Sequence, residues 1–128
     1  MKTWSKHWKG SIKPKKQRKY VFNAPLHTRS KFVSAALSKE LRKKYGTRNI
    51  SVRKGDKVKI MRGQFRKKVG KVERVDLRKI RAYIEGIEMT RKDGTKSLFP
   101  IHPSNLMIIE MNTDDKKRMK RIKKETNK

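Results

Sequence analysis

Short runs of alternating apolar and polar residues in the middle of the chain most constrain its fold. Val58 and Ile60 alternate with lysines, and the run from Ile80 to Glu85 alternates in the same way. Successive side chains of a β-strand point to opposite faces, so a period of two indicates a strand with one buried face. The pattern therefore predicts several strands that share one core.

Turn signals separate these runs at short intervals. Gly63 and Gly70 bracket a first turn, and the Asp93-Gly94 pair is typical of a β-hairpin. The run LFPI leads into a turn at HPSN, and LMIIEM, residues 106–111, has the composition of a last strand. About five short strands in roughly sixty residues predict a mainly β protein built on a small barrel.

A helical pattern precedes the strands. Leu37, Leu41 and Tyr45 recur every four residues, Ser38 is placed to cap a helix, and Gly46 is placed to end it. The chain is thus expected to divide into a basic, irregular arm (1–25), a short helical segment with one or two helices (26–46), the barrel (47–111) and a basic C-terminal helix or tail (112–128).

The charge of the chain indicates its class of partner. It holds 39 Lys and Arg against 11 Asp and Glu, a net charge of +28, and only 33% of its residues are hydrophobic. Such a charge makes a polyanion, above all a nucleic acid, the expected partner. No apolar run approaches the ~20 residues of a membrane-spanning helix, so no membrane partner is expected. The absence of cysteine fits a cytosolic protein.

Residues that could carry out catalysis do not cluster. The histidines, His7, His27 and His102, lie far apart, and no phosphate-binding glycine loop of the GxxxxGK[ST] type is present. No enzymatic activity, metal, cofactor or small-molecule substrate is therefore expected.

Cations concentrate in the first turn and in the arm. Lys and Arg neutralise phosphates, and an exposed aromatic ring can stack on an unpaired RNA base. Phe65 could stack in this way or could instead cap the core, and Trp4 and Trp8 could contact RNA or the barrel surface. The expected RNA-binding residues are Lys13, Lys15, Lys16, Arg18, Lys19, Lys54, Arg62, Gln64, Phe65, Arg66, Lys67, Lys68, Lys71, Arg91, Lys92 and His102.

Longer blocks of sequence resemble a known family. GDKVKIMRGQFRKKVGKVERVD resembles the KOW motif, a strand–loop–strand unit of some ribosomal proteins and transcription elongation factors. FNAPLHTRSKF and LSKELRKKYG before it, and FPIHPSNLMI after it, are similar to the large-subunit ribosomal protein "L twenty-four" family. The similarity is to its archaeal and eukaryotic form (the eukaryotic protein is called "L twenty-six").

The resemblance implies an SH3-like β-barrel that binds large-subunit ribosomal RNA (rRNA) directly and early in assembly, near the exit of the polypeptide tunnel. It implies a cytoplasmic location in the ribosome, with other large-subunit proteins as neighbours. The motif glycines correspond to Gly63 and Gly70. A further motif glycine is replaced by Lys67, which is strained by ~1 kcal/mol if that position has a positive φ, unless the loop differs locally.

Two other functions remain open at this point. A KOW-type transcription elongation or antitermination factor would need an acidic or apolar face for a protein partner, and usually a second domain. A DNA-compacting architectural protein would need only the charge.

Overall fold

A computed structural model describes residues 4, 5, 7, 8 and 10–126, and the expected contributions of Met1–Thr3, Lys6, Lys9 and the last two residues lie outside it. The elements in chain order are α1 (Pro14–Asn23), α2 (Leu26–Phe32), β1 (Ser34–Leu37), α3 (Lys39–Tyr45), β2 (Asn49–Ser51), β3 (Lys57–Ile60), β4 (Val69–Asp76), β5 (Arg81–Thr90), β6 (Lys96–Ile101), a 3-10 turn (Pro103–Asn105), β7 (Leu106–Glu110) and α4 (Lys116–Thr126).

The strands form one sheet in the order β2-β1-β7-β3-β4-β5-β6. All neighbours are antiparallel except β1 and β7, which run parallel. No hydrogen bonding between β2 and β6 joins the two edges within the described residues. The mainly β class predicted from the alternation is confirmed, and the pairing is that of an open sheet.

The core lies on the inner face of this sheet and follows the alternation in the sequence. Val58, Ile84 and Ile108 are fully buried, and they come from three different strands. Val58 pairs with Ile108 across β3 and β7, and with Gly70 across β3 and β4. Burying such aliphatic side chains contributes about 1.5–3 kcal/mol each, which makes this cluster the main source of stability.

The arm is not irregular throughout, which corrects the prediction for residues 1–25. Helix α1 begins at Pro14, whose fixed φ and missing N–H suit the first turn of a helix. Tyr20 on α1 stacks on Trp8 with ring centroids 4.4 Å apart, and it lies 6.2 Å from Phe32 of α2. These aromatic contacts supply the apolar burial that the basic composition concealed.

The helical segment predicted for residues 26–46 contains a strand. Leu37 belongs to β1 and not to a helix face, because Ser34–Leu37 is inserted between β2 and β7. Ser38 then caps α3, its hydroxyl accepting the Leu41 N–H, and Gly46 ends α3 with a φ of 63°. The predicted cap and stop are confirmed, and the helix starts one turn later than its apolar spacing suggested.

Two structural findings concern membrane-spanning helices and metal sites, neither of which the sequence predicts. Among the helices of the described chain, none combines the length and apolar character needed to cross a bilayer. Within the same residues, no group of three or more His, Asp and Glu side chains is placed to bind a metal ion.

Candidate nucleic-acid interface

The most basic turn, Arg62–Lys68, joins β3 to β4 and is held by backbone hydrogen bonds. The Lys67 N–H donates to the Ile60 carbonyl at 2.8 Å, and the Ile60 N–H donates to the Lys68 carbonyl at 2.9 Å. The Met61 N–H donates to the Asn105 carbonyl of the 3-10 turn at 2.8 Å. The side chains of Arg62, Gln64, Arg66, Lys67 and Lys68 are exposed. The flanking strands therefore fix the backbone of a loop whose cations face solvent.

The two motif glycines are needed for different reasons. Gly63 has a φ of 93°, and a Cβ there would meet no atom within 4 Å, so its role is conformational. Gly70 has ordinary backbone angles, but a Cβ there would lie 2.6 Å from Ile84 Cγ2 and 2.8 Å from the Glu85 carbonyl oxygen. Gly70 thus lets β4 and β5 approach closely.

Lys67 has a φ of 72°. Of the two outcomes that the missing motif glycine allowed, the strained one is observed, because a side chain in this left-handed region crowds the backbone. The strained residue therefore carries an exposed cation at the β4 end of the turn.

Phe65 is half-buried and packs against the core. Its ring centroid lies 5.1 Å from that of Phe99 on β6, and Lys68 Nζ lies 5.4 Å from the Phe65 ring centroid. The structure favours the core-capping alternative for Phe65. The ring then orients Lys68 through a cation–π contact.

The arm presents its cations along α1. Lys15, Lys16, Arg18 and Lys19 are exposed on this helix, and Lys13 precedes it. Trp8 and Trp4 pack on Tyr20, with ring centroids 4.4 and 5.1 Å apart, so local packing occupies these rings.

The arm and the basic turn lie at opposite ends of β4. The turn precedes Val69, the first residue of β4. The arm lies near the segment after Asp76, because Arg18 and Phe22 of the arm line one groove with Arg78. The adjoining helix α2 binds the same segment, where Arg29 donates from Nη1 to the Arg78 carbonyl at 2.8 Å. The structure therefore does not bring all the predicted contact residues into one patch.

The β5–β6 hairpin carries two more predicted residues, Arg91 and Lys92, both exposed. Thr95 donates hydrogen bonds from its hydroxyl (2.7 Å) and N–H (3.0 Å) to Asp93 Oδ1, and these bonds lower the pKa of the Asp93 carboxyl. Because β5 extends past Gly70 towards the start of β4, this hairpin lies on the same side as the basic turn.

The remaining predicted contact residues lie on three different elements. Lys54 is exposed in the turn before β3, and Lys71 is exposed on β4 opposite Lys57. His102 caps the 3-10 turn, with Nδ1 accepting the Ser104 N–H at 3.2 Å. Burial, and to a smaller extent the charge of Arg81, lowers the pKa of the His102 imidazole. This favours a neutral ring.

Sequence reasoning missed a buried ion pair beneath the C-terminal helix. Arg118 of α4 donates from Nη1 and Nη2 to the two carboxylate oxygens of Asp56, at 2.7 and 2.8 Å. Asp56 is fully buried, and its oxygens also accept the N–H groups of Arg53 and Asn112, each at 2.9 Å. One signal was present: Arg118 stands four residues before Ile122, which places both on one face of a helix.

Comparison with known proteins identifies the family. Residues 11–125 match the family model that describes the ribosomal proteins L26 of eukaryotes and L24 of archaea. The chain belongs to this ribosomal protein family. The family is a structural class and not an enzymatic one, and it is the family that the sequence blocks resembled.

A curated relative supports the same conclusion. The chain is 48% identical over 114 residues to the "Large ribosomal subunit protein uL24" of Pyrobaculum islandicum. The aligned residues cover 89% of this chain and 93% of the relative. The family match spans every predicted contact residue, from Lys13 to His102, and also Asp56 and Arg118. The arm from residue 11 onwards, the sheet and nearly all of the C-terminal helix are thus parts of the family domain.

Proposed function

We propose that the chain is a structural constituent of the large ribosomal subunit and binds large-subunit rRNA directly. Membership of the ribosomal family and the +28 net charge support this function. The observation that carries it is the fixed turn Arg62–Lys68, whose cations face solvent from a rigid backbone. A preorganised cationic loop loses little entropy when it meets phosphates, so its contacts add directly to affinity.

The fold beneath this turn is proposed to be an SH3-like barrel of the KOW type. The order β7-β3-β4-β5-β6, the shift in register between Val72 and Arg74, and the 3-10 turn from β6 to β7 support a sheet that curls around one core. Bulges of this kind increase the bend and twist of a strand. The barrel would serve as a platform, with the basic turn and the β5–β6 hairpin on one side and the arm on the other.

Two further parts of the proposal come from the family resemblance. The protein would join the large subunit early in assembly, close to the tunnel exit, with neighbouring ribosomal proteins as additional partners. Phosphate contacts would supply most of the affinity, and the shape of the folded RNA would supply the specificity.

Charge reversal within the turn tests the function. The triple variant Arg66→Glu, Lys67→Glu and Lys68→Glu should remain folded, bind large-subunit rRNA more weakly, and lower the slope of log affinity against log salt by about three, roughly one per phosphate contact. The matched control reverses Lys39, Lys43 and Lys44 on α3, which changes the net charge equally at exposed sites outside the proposed interface.

Filter binding over a series of salt concentrations, with duplex DNA as competitor, gives the decision. A larger loss of rRNA affinity in the turn variant than in the control variant supports the proposed interface. Equal losses of rRNA affinity in the two variants would mean that binding depends only on overall charge, as for an architectural DNA-binding protein. In a cell lysate, sedimentation with the large subunit at raised salt is expected, whereas sedimentation with RNA polymerase would favour an elongation factor.

A further inference from the structure

An apolar groove open to solvent lies between α1, α2 and the turn that joins β4 to β5. Its volume is about 840 Å³, within the roughly 300–1,000 Å³ of pockets that hold small molecules. Phe22 is 77% exposed, Leu26 49% and Val21 37%, and all three line the groove. Apolar side chains grouped in this way on a chain that is 39% charged indicate a binding surface.

The walls of the groove are clamped together by one guanidinium. Arg29 donates from Nε to the Ala24 carbonyl at 2.8 Å, from Nη1 to the Arg78 carbonyl at 2.8 Å, and from Nη2 to the Phe22 carbonyl. On the opposite wall, Asp76 Oδ1 accepts the N–H groups of Arg78 (2.9 Å) and Lys79 (3.0 Å). The groove is therefore a preformed feature and not a gap between two mobile helices.

The ionisable side chains that line the groove are all cationic: Arg18, Arg29, Arg78 and Lys79. None of the ion pairs found among the described residues involves Arg18 or Arg78. The groove thus offers a flat, exposed ring beside two arginines that form no ion pair within the described part of the chain, so its ligand should combine an apolar face with negative charge.

We propose that this groove receives one unpaired nucleotide of RNA, with its base stacked on Phe22 and its phosphates near Arg18 and Arg78. Nucleobases are flat and apolar on their faces and carry their charge on the adjoining phosphates, which matches the arrangement of ring and cations. This inference rests on the proposed rRNA-binding function and adds a site at the opposite end of β4 from the basic turn. None of the sequence-predicted contacts except Arg18 belongs to it.

An aromatic substitution series tests the site. Phe22→Ala should weaken binding to purified large-subunit rRNA about tenfold, while Phe22→Tyr, which keeps the ring, should bind like the unsubstituted protein. The slope of log affinity against log salt should stay unchanged in Phe22→Ala, because stacking releases no counterions. Arg78→Ala, in contrast, should lower that slope by about one.

Two controls keep the result interpretable. Ile12→Ala removes a side chain that is 96% exposed and lies outside the groove, and it should bind like the unsubstituted protein. The thermal unfolding midpoint of Phe22→Ala should be unchanged, because the Phe22 ring is exposed and Arg29 bonds only to its backbone carbonyl.

The outcomes separate the groove from the wider function. Equal affinity of Phe22→Ala and the unsubstituted protein would overturn the nucleotide site while leaving rRNA binding intact. If Phe22→Ala binds naked rRNA with unchanged affinity but dissociates faster from assembled subunits, the nucleotide site is overturned and a protein partner is favoured for the groove. An unsubstituted protein that does not prefer rRNA to duplex DNA would refute the proposed function itself, and the nucleotide site with it.

Discussion

The basic turn and the C-terminal helix use positively charged side chains in opposite ways. In the turn, Arg66, Lys67 and Lys68 are exposed, and the backbone beneath them is held by its own hydrogen bonds. In the helix, Arg118 is 5% exposed and joined to Asp56 by both terminal guanidinium nitrogens. The comparison teaches that the number of cations in a segment does not reveal which of them are free to meet an anion.

The buried pair is hydrogen-bonded at every terminal guanidinium nitrogen and carboxylate oxygen, and Arg118 Nε is its one buried polar atom without a partner among the described residues, which explains why the pair is tolerated. Asp56 accepts from two backbone N–H groups as well as from Arg118. Arg118 donates in addition to the carbonyls of Asn112 (3.1 Å) and Ser51 (3.0 Å). Removing one partner from such a network leaves a buried charge without compensation, which is far more destabilising than losing a surface pair.

The largest expected effect comes from breaking this pair. Asp56→Ala should lower the free energy of unfolding by about 3–5 kcal/mol, because the Arg118 guanidinium then remains buried without its carboxylate. Urea unfolding followed by circular dichroism measures the change. Asp93→Ala, which removes an exposed carboxylate, is the control and should have a much smaller effect. Similar midpoints for the two variants would show that α4 is not anchored through Asp56.

A smaller effect of opposite sign is expected in the turn. Lys67→Gly should raise the free energy of unfolding by up to ~1 kcal/mol, because glycine adopts the φ of 72° without steric crowding. It should also weaken rRNA binding, because one cation is lost. Lys68→Gly removes the same charge at a position without a positive φ and should not stabilise. If both variants are equally stable, Lys67 is not strained.

The smallest effect concerns His102, near the base of the turn. Because burial lowers the pKa of its imidazole below 6.5, the folded protein favours the neutral ring. The corresponding stability is fully present above pH 6.5 and is lost as the pH falls through the lowered pKa of the folded state. His102→Asn keeps a capping side chain and should flatten this loss in thermal unfolding between about pH 7.5 and 5. A pH profile of His102→Asn that is identical to the profile of the unsubstituted protein would contradict the assignment.

Most strands could be predicted from the sequence because the features that specify them lie within a few residues of one another. Alternation at Val58 and Ile60, the Asp93-Gly94 turn, and the Ser38 cap with the Gly46 stop all act within a few residues. The family resemblance was also sound, because its blocks extend over nearly the whole chain. The departure at Lys67 was visible in the motif, and the structure gives it the positive φ that a glycine would have.

The failures involve contacts between residues far apart in the chain. Ser34–Leu37 became a strand because β2 and β7 flank it, which no four-residue pattern can indicate. The helix in the arm depends on Tyr20 meeting Trp8 and Phe32. Phe65 had two open interpretations because only the position of Phe99 decides whether its ring is covered. Phe22 gave no distinct signal, since exposure of a lone aromatic residue is a tertiary property.

The position of β7 has a consequence for how the chain is made. This strand is synthesised after the six other strands, yet it lies between β1 and β3 within the sheet. Until it emerges, the β1–β2 pair and the hairpins from β3 to β6 have no strand to join them. Assembly of the whole sheet must then wait until β7 has been made, and pairing across such sequence separations is intrinsically slow. A newly made molecule therefore passes through a stage in which its cations are already present and its sheet is still in two parts.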